Sequence, residues 1–166
     1  MKQLKEDITA LFQDENKIIA YYNDALNYVS TSLESDDYSS DIDYIKSSLI
    51  KEEYDNLPNI SYPLITISEI ENVNGERYWD GSEFATALGY QFMIDAEQTY
   101  YHTSNEMVEI IEYIIDAYLQ EDKYKCLSRI STTRPYPSLS DPNVKTGVLR
   151  YNCYLVSQQN TIYRRY

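Results

Sequence analysis

The sequence predicts an α+β fold, a mixed and mainly antiparallel sheet of about four or five strands packed against an amphipathic helix, with an N-terminal helical extension. Three observations carry that expectation. Residues 84–97 alternate between apolar and polar side chains, the pattern of a strand with one buried face. Residues 103–119 open on capping-box spacing and continue as an apolar stripe. Strands fall in runs on either side of that helix, which argues against the regular β-α alternation of a doubly wound parallel sheet.

Residues 3–33 read as helix. Leu4, Ile8, Leu11 and Phe12 share one face, and Ile18, Ile19, Tyr22, Leu26, Val29 and Leu33 continue the spacing. Asp14-Glu15-Asn16 is a break at which two helices can separate. Glu34 to Asp43 is acidic and serine-rich and reads as a loop. Ile45, Leu49, Ile50 and Tyr54 predict another helix, ending before Pro58 because the residue preceding a proline avoids helical angles.

Tyr62 to Ile70 reads as a strand, with Pro63 at its start, where a missing amide is tolerated. Asn72-Val73-Asn74-Gly75 is a turn with a strong hairpin dipeptide, and Trp79-Asp80-Gly81-Ser82 is a second turn. In the alternating segment Leu88, Tyr90, Phe92, Ile94 and Ala96 point one way, and Gln91, Met93, Asp95 and Glu97 the other. Thr103 and Glu106 then open the helix. Met107, Ile110, Ile111, Ile114, Tyr118 and Leu119 form its stripe, with Glu109, Glu112 and Asp116 expected on the wet side. Leu127 to Thr133 reads as a strand, and Arg134 to Asn143 as a proline-bearing loop. Gly147 to Val156 alternates again, and Thr161 to Arg165 closes as a short strand. The expected organisation is a helical region over residues 1–57, an arm or part of the same domain, followed by an α+β domain over 58–166.

The chain of 166 residues carries a formal charge of -13. Phosphate binding needs clustered cations, so sequence-independent nucleic-acid binding is disfavoured. The same charge suits a surface past which DNA must move without sticking, a DNA mimic, or simple solubility. Nineteen tyrosines suit interfaces, although an AT-rich codon bias explains them as well. Cys126 and Cys153 lie far apart and outside any metal spacing, consistent with buried free thiols in a reducing cytosol. The charged start Met1-Lys2-Gln3-Leu4-Lys5-Glu6-Asp7 does not read as a signal peptide, and no apolar run reaches the ~20 residues of a membrane span.

Few residues suggest chemistry. The single histidine, His102, precedes a helix N-cap and reads as a surface or capping-region residue. The glycines fit no phosphate-cradling motif. Asp36, Asp37, Asp41 and Asp43 lack the central glycine and closing glutamate of a calcium loop and read as solvated. Glu69 and Glu71 line one face of a strand, and Arg164 and Arg165 suit an interface or ion pairs. No catalytic, cofactor-binding or metal-ligating residue is predicted, and the expectation is a protein that is not an enzyme.

Tyr62-Pro63-Leu64-Ile65-Thr66-Ile67, Gly89-Tyr90-Gln91-Phe92-Met93-Ile94-Asp95, the helix from Ser104 to Leu119, Arg150-Tyr151-Asn152-Cys153 and Thr161-Ile162-Tyr163-Arg164-Arg165 stand in an order that resembles the phage tail terminator and tail-completion family. The resemblance rests on the order of the pieces from Tyr62 onward. It implies a structural virion protein, assembled in the host cytoplasm, that forms a ring, commonly a hexamer, on the end of the tail tube. Its partners would be other copies of itself, the tail tube protein, the neck or connector protein and, in a contractile tail, the sheath. DNA would pass through without specific binding, and no cofactor or membrane is implied. Candidate interface residues are Arg134 and Tyr136 on the proline loop, Trp79 at its turn, for which core burial is the stronger reading, and Arg164 and Arg165. Another neck or head-completion protein, an acidic DNA-mimic inhibitor drawing on residues 34–55, and a small enzyme remain as competing expectations.

Overall fold

The computed structural model describes residues 2–29, 38–72, 85–121, 124, 127–139 and 141–156. The chain starts with α1 (Lys2–Gln13) and α2 (Glu15–Ala25). They separate at Asp14, whose side chain accepts from the Lys17 amide at 3.3 Å and caps α2. That is the place the acidic break predicts, because a side-chain oxygen there satisfies an amide the helix leaves open. Leu4, Ile8, Leu11 and Phe12 of α1, and Ile18, Tyr22 and Ala25 of α2, face inward. The helix ends at Ala25, short of the predicted extent, although Val29 is still buried. Leu33 lies outside the described residues.

The next segment differs from expectation. The acidic stretch is not all loop, because α3 (Ser39–Lys46) begins within it. The predicted helix through Leu49, Ile50 and Tyr54 does not form; Leu49–Glu52 is a strand, β1. It pairs in parallel with β2 (Leu64–Asn72), Leu49 opposite Leu64 and Ile50 opposite Ile65. A short apolar run has no period of its own, and pairing with the sheet decides its conformation.

The alternating segment is β3 (Ala85–Ala96), and it pairs antiparallel with β2. The turns at Asn74-Gly75 and around Trp79, which would join them, lie outside the described residues. After α4 (Ser104–Leu119) come β4 (Ser128–Thr132), the two-residue β5 (Tyr136–Pro137) and β6 (Lys145–Val156). The sheet order is β1-β2-β3-β6-β4, with β5 pairing beside β6. Among the described residues only the β1–β2 pair is parallel, so the sheet is mixed and mainly antiparallel, as predicted. The predicted strand at 161–165 lies outside the described residues.

Register puts Ile67, Phe92 and Leu149 side by side, and Ile65, Ile94 and Gly147 in the neighbouring row. Because strand side chains alternate, these rows share one face. They belong to a single buried cluster with Leu4, Phe12, Ile18, Ile45 and the apolar side of α4. Thr66, Ser68, Gln91, Met93 and Asp95 point to the other face and are partly exposed. Helix α4 is apolar over more of its circumference than one stripe, with Val108 and Ile115 fully buried alongside Met107, Ile110, Ile111 and Ile114. It packs on β3 and β6 on one side and on α2 on the other.

Gly147 permits that packing. A Cβ at this position would overlap Glu112 Oε1 and come within 2.5 Å of Val108 Cγ1, both on α4. The missing side chain is what lets the helix approach the strand. Overpacking a well-filled site costs about 1–3 kcal/mol. Gly147→Ala is therefore expected to lose about that much in urea denaturation, and less in a Glu112→Ala background where one obstacle is gone. Wild-type stability in the single variant would contradict this account of the helix–sheet contact.

Candidate functional site

Two regions concentrate the unusual features, one exposed and one buried. The exposed region is the loop after β4. Its backbone is tied to β6: the Thr133 amide donates to the Val148 carbonyl at 3.0 Å, and the Val148 amide donates to Thr133 Oγ1 at 3.0 Å. Farther along, the Ser138 amide donates to the Val144 carbonyl at 2.9 Å, and the Asn143 amide to Asp141 Oδ1 at 2.9 Å. Pro135 and Pro137 restrict the chain between these ties. On this held loop Arg134 is exposed, Tyr136 is 40% exposed and Leu139 is wholly exposed. Arg134 and Tyr136 thus lie together, as their spacing suggested. Trp79, Arg164 and Arg165 lie outside the described residues.

The two sheet edges are treated differently from this loop. At β1 the outward amide of Glu52 donates to Asp55 Oδ2 at 2.9 Å, and the same oxygen pairs with Lys5 Nζ at 3.0 Å. The amide of Glu52, followed by the Lys5 ammonium, holds the Asp55 carboxyl below the usual range. A side chain occupying an edge amide blocks addition of a further strand there. At the other edge β4 is five residues long and carries a register shift between Arg129 and Ser131, a bulge that also discourages pairing.

The buried region centres on Asp41, and here two expectations are corrected. Asp41 is not in a solvated loop, and His102, although it stands next to the Thr103 cap as expected, is not on the surface: both side chains are fully buried. His102 Nδ1 and Asp41 Oδ2 lie 2.7 Å apart, and the Tyr22 hydroxyl donates to the same carboxylate oxygen at 2.9 Å. The geometry of α3 explains the burial, since Asp41 stands one turn before Ile45 on the helix's inner face. A turn fixes His102 from the other side: the Thr99 amide donates to the His102 carbonyl at 2.8 Å, and the His102 amide to Thr99 Oγ1 at 3.1 Å. Thr103 then caps α4 in the predicted capping box with Glu106. Tyr38 stacks on His102 and meets Tyr22 and Tyr101 edgewise or tilted.

Burial works to raise the Asp41 carboxyl, but hydrogen bonds from His102, Thr99 and Tyr22 outweigh it and hold the carboxyl below its ordinary value. Burial, followed by the Asp41 charge, pushes the Tyr22 hydroxyl far up, so it stays a neutral donor. An Asp–His pair is also the orienting half of a hydrolytic triad. In this conformation, however, His102 Nε2 is enclosed and has no hydrogen-bond partner among the described residues, so it does not reach a substrate from there. The arrangement instead joins α2, α3 and the approach to α4.

A third expectation is corrected on α4. Glu112 is not on the wet side but is 9% exposed, facing β6 at Gly147. Its Oε2 accepts from Thr132 Oγ1 at 3.4 Å, and its Oε1 is buried without a partner. Burial pushes this carboxyl up to about 7. Asp116, one turn on, is better served: it accepts from the Tyr151 hydroxyl at 2.8 Å and pairs with Arg129 at 3.3 Å. Apolar periodicity identified neither Asp41 nor Glu112, because a charged residue is read as outward-facing. The available signal was position, since each stands three or four residues from buried apolar neighbours on its own helix.

A groove of about 470 Å³ runs between α1 and β1 and is lined by Lys2, Lys5, Glu6, Thr9, Gln13 and Glu52 among others. Its lining residues are mostly charged or polar, with charges of both signs, whereas most small-molecule sites are lined by hydrophobic and aromatic side chains. No helix among the described residues is long and apolar enough to cross a membrane. No protein-family model and no curated protein matches the sequence.

The pH dependence of the buried pair follows from its sign. An acid whose folded value is lowered contributes stability that is complete above its unfolded value, 3.8 for Asp41, and is lost as pH falls through the folded one. Asp41→Asn is expected to lose about 2 kcal/mol at pH 7 and to show a flatter stability curve below pH ~4, measured by urea unfolding at a series of pH values. An acid limb as steep as in the wild type would remove Asp41 from this role.

Proposed function

We propose that this chain is a non-catalytic structural subunit of a phage tail or tail-like particle, forming a ring that caps the growing end of the tail tube and meets the neck. The observation that carries the reading is the proline loop. It is tied to β6 at both ends yet leaves Arg134, Tyr136 and Leu139 in solvent. An aromatic, an aliphatic and a cation on a pre-ordered backbone lose little freedom on docking, which favours recognition of a fixed surface.

The guarded edges support the same reading. A head-to-tail assembly becomes a closed ring or an open fibre according to its contact geometry. Strand addition at an unprotected edge has no natural stopping point. With Asp55 across β1 and a bulge in β4, contacts between copies fall to loops and faces, where a closed number can be specified. The acidic balance of -13 fits a ring past which DNA moves without adhering. The DNA-mimic reading draws less support, because within 34–55 Asp41 is buried and Asp55 is paired with Lys5.

Particles assembled without this protein should carry overlong tubes of variable length in negative-stain images. An Arg134→Glu/Tyr136→Ser/Leu139→Ser variant should fold but fail to restore length control. Tails of normal length that lack heads would move the assignment to the neck. Normal, headed particles would refute the proposal.

A further inference from the structure

We infer that Glu112 is a proton-operated latch between α4 and the edge strand β4. The site is a carboxyl group inside the helix–sheet contact. It is 9% exposed, stands over Gly147, and among the described residues has one oxygen without a partner and the other held only by Thr132 of β4. A native buried polar atom without a partner is uncommon and calls for a reason. Packing offers no substitute partner. Arg129 of β4 is committed to Asp116, and the Tyr151 hydroxyl of β6 donates to Asp116 as well. Glu109, on the same helix, adds like charge, and the Arg129 cation acts in the opposite sense without cancelling the effect of burial.

Protonated, Glu112 is neutral and fits this setting. Ionised, it places a charge in the contact that one 3.4 Å hydrogen bond and the nearby Arg129 cation answer only in part, an arrangement that is costly away from water. The sign is opposite to that of Asp41. Burial puts the folded value near 7, against 4.5 for an ordinary glutamate. Between those values the folded chain holds a proton that the unfolded chain has lost, so stability falls as pH rises through this window and levels off above it.

The fold directs that loss to one place. Helix α4 is clamped between the sheet and α2, and β6 is paired on both sides. By contrast β4 has five residues, pairs among the described residues with β6 alone and is interrupted by a bulge. Releasing β4 admits water to Glu112 while leaving the rest of the cluster in place, and it bares the edge of β6. The latch would operate whatever the chain docks onto.

Hydrogen exchange of the full chain, read by mass spectrometry on peptides covering 127–133 and corrected for intrinsic rates, tests this between pH 5.5 and 8.5. Protection of β4 should fall about tenfold or more in the wild type, as one to two pH units of linkage imply, while β3 stays protected. Glu112→Gln should be flat across the range. The same β4 profile in wild type and variant would overturn the latch, and so would an equal loss across β2, β3 and β6. If Glu112→Gln does not fold, carboxyl ¹³C titration of the wild type decides: a Glu112 midpoint near 7 supports the latch, and one near 4.5 overturns it.

Discussion

A carboxylate enclosed by protein must be given partners, and the partners given to Asp41 hold the helical layer in register with the sheet. His102 and Tyr22 converge on one oxygen of Asp41, and they come from segments far apart in sequence. One contact therefore joins α2, α3 and the turn that leads into α4. Because α4 starts at Thr103, directly after His102, the pair also sets where that helix meets the sheet. The close approach of Val108 and Glu112 to Gly147 is downstream of it. Removing one partner from a buried pair costs more than the pair itself contributes, since the other charge is then stranded.

The same chemistry recurs and gives the composition a meaning that counting could not. Tyr21 donates to Glu121, Tyr22 to Asp41, Tyr124 to Asp7 and Tyr151 to Asp116. Each bond links distinct segments of the chain. The chain has 27 acidic and 14 basic residues, and Asp41 is met by a tyrosine hydroxyl and a histidine rather than by lysine or arginine. Tyrosine offers a ring for the core and a neutral hydroxyl for the acid. The Tyr22 and Tyr151 hydroxyls are pushed far up by burial and then by their acid partners, so they remain donors. Tyrosine hydroxyls thus answer carboxylates at four places without adding positive charge.

The fold was legible where period and capping were strong. The alternation of β3 and β6, the Thr103–Glu106 box of α4 and the Asp14 break between α1 and α2 all read directly from the residues. The α3–β1 segment did not, because Ile45, Leu49 and Ile50 are too few to show a period, and parallel pairing with β2 settles the matter from outside the segment. The exposed candidates Arg134 and Tyr136 were legible because proline marks a loop and a loop carries its side chains outward. Asp41, His102 and Glu112 were not, since their burial depends on partners more than fifty positions away or across a helix–sheet contact. Even so, Asp41 and Glu112 keep helical spacing with buried isoleucines, and that spacing is visible once the helix limits are known.

Edge protection, a held loop and a helical layer packed on one sheet face are what support the proposed assembly role, and the last of the three depends on the contact at Asp41. A double-mutant cycle of Asp41→Asn and His102→Gln, followed by urea unfolding at pH 7, measures it most directly. The account predicts strong non-additivity, with a coupling energy of about 1 kcal/mol or more and a double variant scarcely less stable than either single one. Losses that simply add, to within about 0.5 kcal/mol, would contradict it.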